Sequence, residues 1–135
     1  MASDSKEELV AEYATLGQLA EELRRRIDLL NVSLNELTAA KSAVDELVNV
    51  KEGEEVLVPV GAGIYVKANI SNTKIVLVSI GANIIVERSL EEAKKYLDDR
   101  EQRVRDALQK TLGDYQAVVS RMRELERGIR TTSSK

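Results

Sequence analysis

The carboxylates, lysine amines and arginine guanidines of this chain have no Cys and no His to act with. That excludes a disulfide, a thiolate nucleophile, a zinc–thiolate site, an imidazole ligand and a histidine general base. The carboxylates are scattered over helix-patterned stretches, so no acid–base constellation is visible and the chain is not read as an enzyme. Gly61-Ala62-Gly63 resembles the start of a dinucleotide loop, but no helix follows it and no third glycine completes the pattern. A GxxxxGK[ST] phosphate loop is absent as well. No cofactor and no metal are expected. What remains is the chemistry of apolar surface, and the elements that must position it carry the signal.

The chain is 135 residues long, about one domain. Aromatics make up only 3% and charged residues 32%, a balance that favours long helices over a large globular core. The net charge of −3 gives no reason to expect a nucleic-acid or anionic-lipid partner. No apolar run approaches the roughly 18 residues of a membrane-spanning helix. The first eight residues are polar and acidic, unlike a signal peptide, so a soluble, cytoplasmic protein is expected.

Three segments follow one another: an N-terminal coiled-coil helix over 1–50, a β segment over 51–88, and a C-terminal coiled-coil helix with a short polar tail over 89–135. In the first, Leu9, Tyr13, Leu16, Ala20, Leu23, Ile27, Leu30, Leu34, Leu37, Lys41, Val44 and Val48 repeat at 4–3 spacing, and only Lys41 is polar. Such a run is a coiled-coil seam. Ser3 or Ser5 is the expected N-cap, and Lys51-Glu52-Gly53 the stop. About 45 helical residues span roughly 65–70 Å, too long to wrap a core, so the helix needs a partner along its length.

The last segment supplies one. Ser89, with Glu92 three residues on, forms a capping-box pattern. Its seam reads Leu90, Ala93, Leu97, Arg100, Val104, Leu108, Thr111, Tyr115, Val118, Met122, Leu125 and Ile129, with a stutter at Val104. Residues 1–50 carry five basic and ten acidic side chains, net −5, and residues 89–135 carry eleven and nine, net +2. Equal length and opposite charge predict an antiparallel pair within one chain.

The middle segment repeats itself. Val56-Leu57-Val58-Pro59-Val60-Gly61-Ala62-Gly63-Ile64-Tyr65-Val66 aligns with Val76-Leu77-Val78-Ser79-Ile80-Gly81-Ala82-Asn83-Ile84-Ile85-Val86 at an offset of 20, with seven of eleven positions identical. Each copy reads as strand, turn, strand, with Gly63 and Asn83 at the position that needs positive φ. Ser71-Asn72-Thr73 is the expected turn between the hairpins. Two short hairpins without a large core are not stable alone in water, and their open edges invite pairing. An oligomer follows, with a β body built between subunits. Val56, Val58, Val60, Ile64, Val66, Val76, Val78, Ile80, Ile84 and Val86 are its expected interface.

A helix, then Leu57-Val58-Pro59-Val60-Gly61-Ala62-Gly63, then Val76-Leu77-Val78-Ser79-Ile80-Gly81-Ala82-Asn83, then a second helix, closely resembles the α-type subunits of archaeal prefoldin, over essentially the whole chain. The fold class is α+β: a long antiparallel coiled-coil hairpin with two β-hairpins inserted between its helices. The resemblance implies a hetero-hexamer of two α-type and four β-type subunits, with a double β-barrel body and six projecting coiled coils. It implies an ATP-independent holdase whose coil tips grip non-native clients and hand them to a group II chaperonin. Asn83, where a second glycine is common, and the short tail are departures from the family pattern.

Both chain ends meet at the coil tip. Leu9, Val10, Tyr13 and Leu16 there face Val118, Val119, Met122, Leu125 and Ile129, and these nine are the candidate client-binding residues. All but Val10 and Val119 lie on the seam and serve equally well as ordinary packing. Val10 and Val119 lie off it and are the better candidates for exposed apolar surface, which on a helical arm needs a reason. Two alternatives stand beside the holdase: a prefoldin-like subunit that assembles with itself as a filament or homo-oligomer, and a structural coiled-coil adaptor without chaperone activity.

Overall fold

A computed structural model describes residues 2–133. The elements run α1 (Ala2–Glu46), a single 3-10 turn (Leu47–Asn49), β1 (Glu55–Gly61), β2 (Ile64–Asn69), β3 (Ile75–Gly81), β4 (Ile84–Ser89) and α2 (Leu90–Ser133). Two long helices thus flank two antiparallel hairpins, β1–β2 and β3–β4, each a separate two-stranded sheet. The chain divides into two compact units, one built from residues up to Leu34 and from Arg103 onward, the other from Asn35–Gln102.

In the first unit the two helices pair antiparallel. A Cβ at Gly128 would sit 3.4 Å from Leu9 Cδ1, and one at Gly17 would sit 3.7 Å from Met122 Cε. Between these layers Arg121 Nε donates to Glu12 Oε1 at 3.0 Å. The seam residues from Leu9 to Leu34 are all half-buried, as the 4–3 spacing predicts. Leu125 is the most enclosed side chain, at 2% exposure. Thr111, the polar intrusion, is also buried, and its hydroxyl donates to the Ala107 carbonyl one turn back at 2.7 Å.

Four features differ from the sequence reading. Ser3 and Ser5 lie inside α1 rather than capping it, because the helix already begins at Ala2. Thr131 to Ser133, read as tail, continue α2, and Ser134 and Lys135 lie outside the described residues. Val48 leaves the seam, since the 3-10 turn tightens the last residues; Leu47 is half-buried while Val48 stands 64% exposed. In α2 the position taken for Arg100 belongs to Glu101. Arg100 is exposed, with its guanidinium carbon 5.6 Å from the centroid of the Tyr96 ring. Reading Leu97, Glu101, Val104, Leu108 restores 4–3 spacing there and moves the stutter to Leu97.

That correction explains Lys41, which belongs to the second unit. Its amine lies 2.7 Å from Asp98 and 3.3 Å from Glu101, whose side chain is only 16% exposed. The polar residue of α1 is therefore met by carboxylates of α2 at one layer of the seam. Lys94 likewise reaches across to Asp45 at 3.3 Å. The hydrogen bond to Asp98, then that to Glu101, holds the Lys41 amine above its ordinary value of 10.5.

At the start of α2, Ser89 Oγ accepts the Glu92 amide at 3.2 Å, and its hydroxyl lies 3.2 Å from the Glu92 carboxylate. The cap therefore sits where the sequence places it. The two hairpins share one register at an offset of 20: Val58 faces Val66 and Val78 faces Val86. Ala62 and Gly63 both have positive φ, as do Ala82 and Asn83, the signature of a two-residue type I′ turn. Between the hairpins, Asn72 Oδ1 accepts the amides of Lys74 at 2.8 Å and Ile75 at 3.1 Å.

Two outcomes test this packing. Leu125→Ala is expected to cost about 2–5 kcal/mol in chemical denaturation, because the cavity lies in the tightest layer of the seam. Lys41→Leu is expected to lower the thermal midpoint, since it leaves two carboxylates facing the seam without their amine. Lys41→Leu with Asp98→Leu and Glu101→Leu should recover it. Because the Lys41 amine is held above 10.5, its stabilisation is full below that pH and is lost as pH rises through the higher folded value. The alkaline loss of midpoint should be smaller in the triple variant than in the wild type.

Candidate functional site

Strand alternation gives each hairpin two faces. In β1–β2, one face carries Val56, Val58, Val66 and Ala68, and the other carries Leu57, Pro59, Tyr65 and Lys67. In β3–β4, the corresponding sets are Val76, Val78, Val86 and Arg88, and Leu77, Ser79, Ile85 and Glu87. A sheet with one solvated face would alternate apolar and polar residues. Here the strands are apolar on both faces, and a two-stranded sheet cannot cover both.

The first faces are partly sheltered. Val56, Val76, Val78 and Val86 are half-buried, while Val58, Val60, Ile64, Val66, Ile80 and Ile84 are exposed. A groove of about 320 Å³ lies between β3 and the helix bases within the same unit, lined by Val44, Val76, Val78, Ala93, Tyr96 and Leu97 among others. The second faces are open: Leu57 is 60% exposed, Tyr65 59%, Leu77 68% and Ile85 61%. The expected interface set thus names one face and omits the other. The unbroken apolar run of Val56 to Val60 contained the missing signal, because consecutive apolar residues put apolar side chains on both sides of a strand.

The candidate client-binding residues gather in the first unit. Leu9, Tyr13, Leu16, Val118, Met122 and Ile129 are half-buried in the seam, and Leu125 is buried. Of the two off-seam valines, Val10 is exposed at 46%, whereas Val119 is half-buried. The Arg121 guanidinium is held above its ordinary value first by Glu12 and then by Glu124, so a permanent charge borders the apolar residues. Farther along α1, Leu29 and Val32 are exposed on the side away from the seam, next to Arg25 and Arg26, which join none of the described ion pairs.

Among the described residues no group of three or more acidic side chains could hold a metal ion. No helix among them is long and apolar enough to cross a membrane. The exposed large apolar side chains are concentrated on the hairpins.

Known proteins share this arrangement. The family model described as prefoldin subunit matches residues 16–135. The prefoldin subunit alpha of Thermofilum pendens is 41% identical over 128 residues, covering 95% of this chain and 99% of the relative. That of Pyrococcus horikoshii is 32% identical, covering 100% of this chain and 93% of the relative. Among solved structures, filamentous PFD from Methanocaldococcus jannaschii superposes with a TM-score of 0.72 at 27% identity, covering 90% of this chain and 98% of that one. With two long helices, two inserted hairpins and full-length relatives named as alpha subunits, the chain belongs to the prefoldin subunit family.

Proposed function

We propose that this chain is the α-type subunit of an ATP-independent holdase, assembled through its hairpins and holding non-native polypeptide with the end of its coiled coil. Prefoldins are chaperones rather than enzymes, and family membership supports that class. The observation that carries the reading is the pair of hairpins apolar on both faces and exposed within a single chain. Such sheets reach stability only when other subunits cover them. The proposed assembly is a hexamer of two α-type and four β-type subunits with a closed β body, in the cytoplasm, passing clients to a group II chaperonin.

Client contact is assigned to Leu9, Val10, Tyr13, Leu16, Val118, Val119, Met122, Leu125 and Ile129. Val10 is available as the helices stand, and the seam members contribute if the last turns part. Each aliphatic contact is worth on the order of 1 kcal/mol, so one coil end binds weakly. Several ends acting on one client raise the effective concentration and supply the affinity. Met122 adds a flexible, polarisable surface suited to varied sequences.

A second reading, self-assembly into a filament, is favoured by the likeness to the filamentous PFD. Native mass separates the two. A hexamer that forms only on mixing with a β-type subunit supports the first, and a large assembly of the chain alone supports the second. A structural adaptor would fail to keep a denatured client soluble.

Two further outcomes are expected. Val10→Glu together with Val119→Glu should leave native mass unchanged and weaken suppression of client aggregation about fivefold per lost contact. Loss of the oligomer in that variant would sink the division between holding and assembling. Val58→Asp and Val78→Asp should each abolish assembly, seen as a drop in mass by light scattering, because each places a charge in the core of a repeated strand.

A further inference from the structure

The two hairpins are near copies, so the positions where they differ are informative. Lys67 and Glu87 occupy the same position of the repeat, 20 residues apart, and carry opposite charge. In the register, Lys67 lies across from Leu57 and Glu87 across from Leu77, so each hairpin presents one leucine and one charge side by side on its open face. Both charged side chains are exposed, and neither joins an ion pair among the described residues. Beside them, Tyr65 and Ile85 complete the apolar part of each face.

We propose that the open face of β1–β2 stacks on the open face of β3–β4 of a second copy of this chain, with Lys67 paired to Glu87. This rests on the reading above that the hairpins are assembly surfaces, and it names which face meets which. An approximate two-fold along the cross-strand line through Leu57 and Lys67 lays Leu57 on Leu77 and Lys67 on Glu87 of the other copy. The leucines, Tyr65 and Ile85 supply the apolar burial, and the charges select the partner. Stacking β1–β2 on its own equivalent would bring Lys67 against Lys67, and stacking β3–β4 on its own would bring Glu87 against Glu87. Like charges at a contact are costly, so the pattern rejects both pairings and leaves the unlike one.

The test is a charge-reversal pair, read by light scattering over a concentration series, with circular dichroism confirming helix content. Lys67→Glu alone carries two acidic faces and Glu87→Lys alone carries two basic ones. Each is expected to self-associate roughly tenfold more weakly than wild type, or worse. An equimolar mixture of the two restores both complementary contacts and should regain the wild-type mass, as should the swapped double variant Lys67→Glu/Glu87→Lys. Variants that keep the wild-type mass alone, or a mixture that stays dissociated, overturn the pairing. A wild-type chain that is monomeric throughout also overturns it. Aggregation suppression, measured on wild type with and without a β-type subunit, is independent of this result, so the holdase reading can stand or fall separately.

Discussion

A two-stranded sheet that is apolar on both faces has no interior of its own. The need for a covering partner follows from that constraint. Leu57, Tyr65, Leu77 and Ile85 stand about 60% exposed or more on one side of the hairpins. The valines on the opposite side are sheltered only in part. The backbone is well prepared for its role, with type I′ turns, a common register and an Asn72 turn joining the hairpins. The hairpins are finished as local structure and unfinished as burial, which makes assembly a physical requirement of the fold.

The helices solve a different problem. A helix of 45 residues and one of 44 cannot be stabilised by propensity alone, and within each unit they bury apolar residues against each other. The apolar packing is interrupted where Lys41 meets Asp98 and Glu101. A wholly apolar seam has many acceptable offsets, whereas one amine facing two carboxylates has a single good one. That is the attested use of a polar residue at a seam position. The bond belongs to the unit that also holds the hairpins, so the register of the helix bases is set beside the strands they flank.

The other unit has the opposite character. Its layers are small and adaptable, with Gly17 against Met122 and Gly128 against Leu9. Enclosure there is tightest at Leu125, while Val10 stays open to solvent. Under the proposed holding role, weak, non-directional contact on such a surface suits many different unfolded chains.

Much of this was legible in the residues alone. The 4–3 spacing from Leu9 to Val44, the cap at Ser89 and the duplicated hairpin with positive φ at Gly63 and Asn83 are local signals, and local signals are set by neighbours within a turn or a strand. Absence of Cys and His excludes thiolate and imidazole chemistry by composition. Tertiary structure decided what depends on a facing partner. Arg100 and Glu101 are equally placed by spacing, and only the position of Lys41 on the other helix puts Glu101 in the seam. Val48 fits the heptad as written, but the 3-10 turn before the strands rotates it into solvent. The second apolar face of the hairpins lay in plain view as an unbroken run of apolar residues. Its meaning appeared only when the register put Leu57 beside Lys67 and Leu77 beside Glu87, because which residues share a face is a property of two strands together.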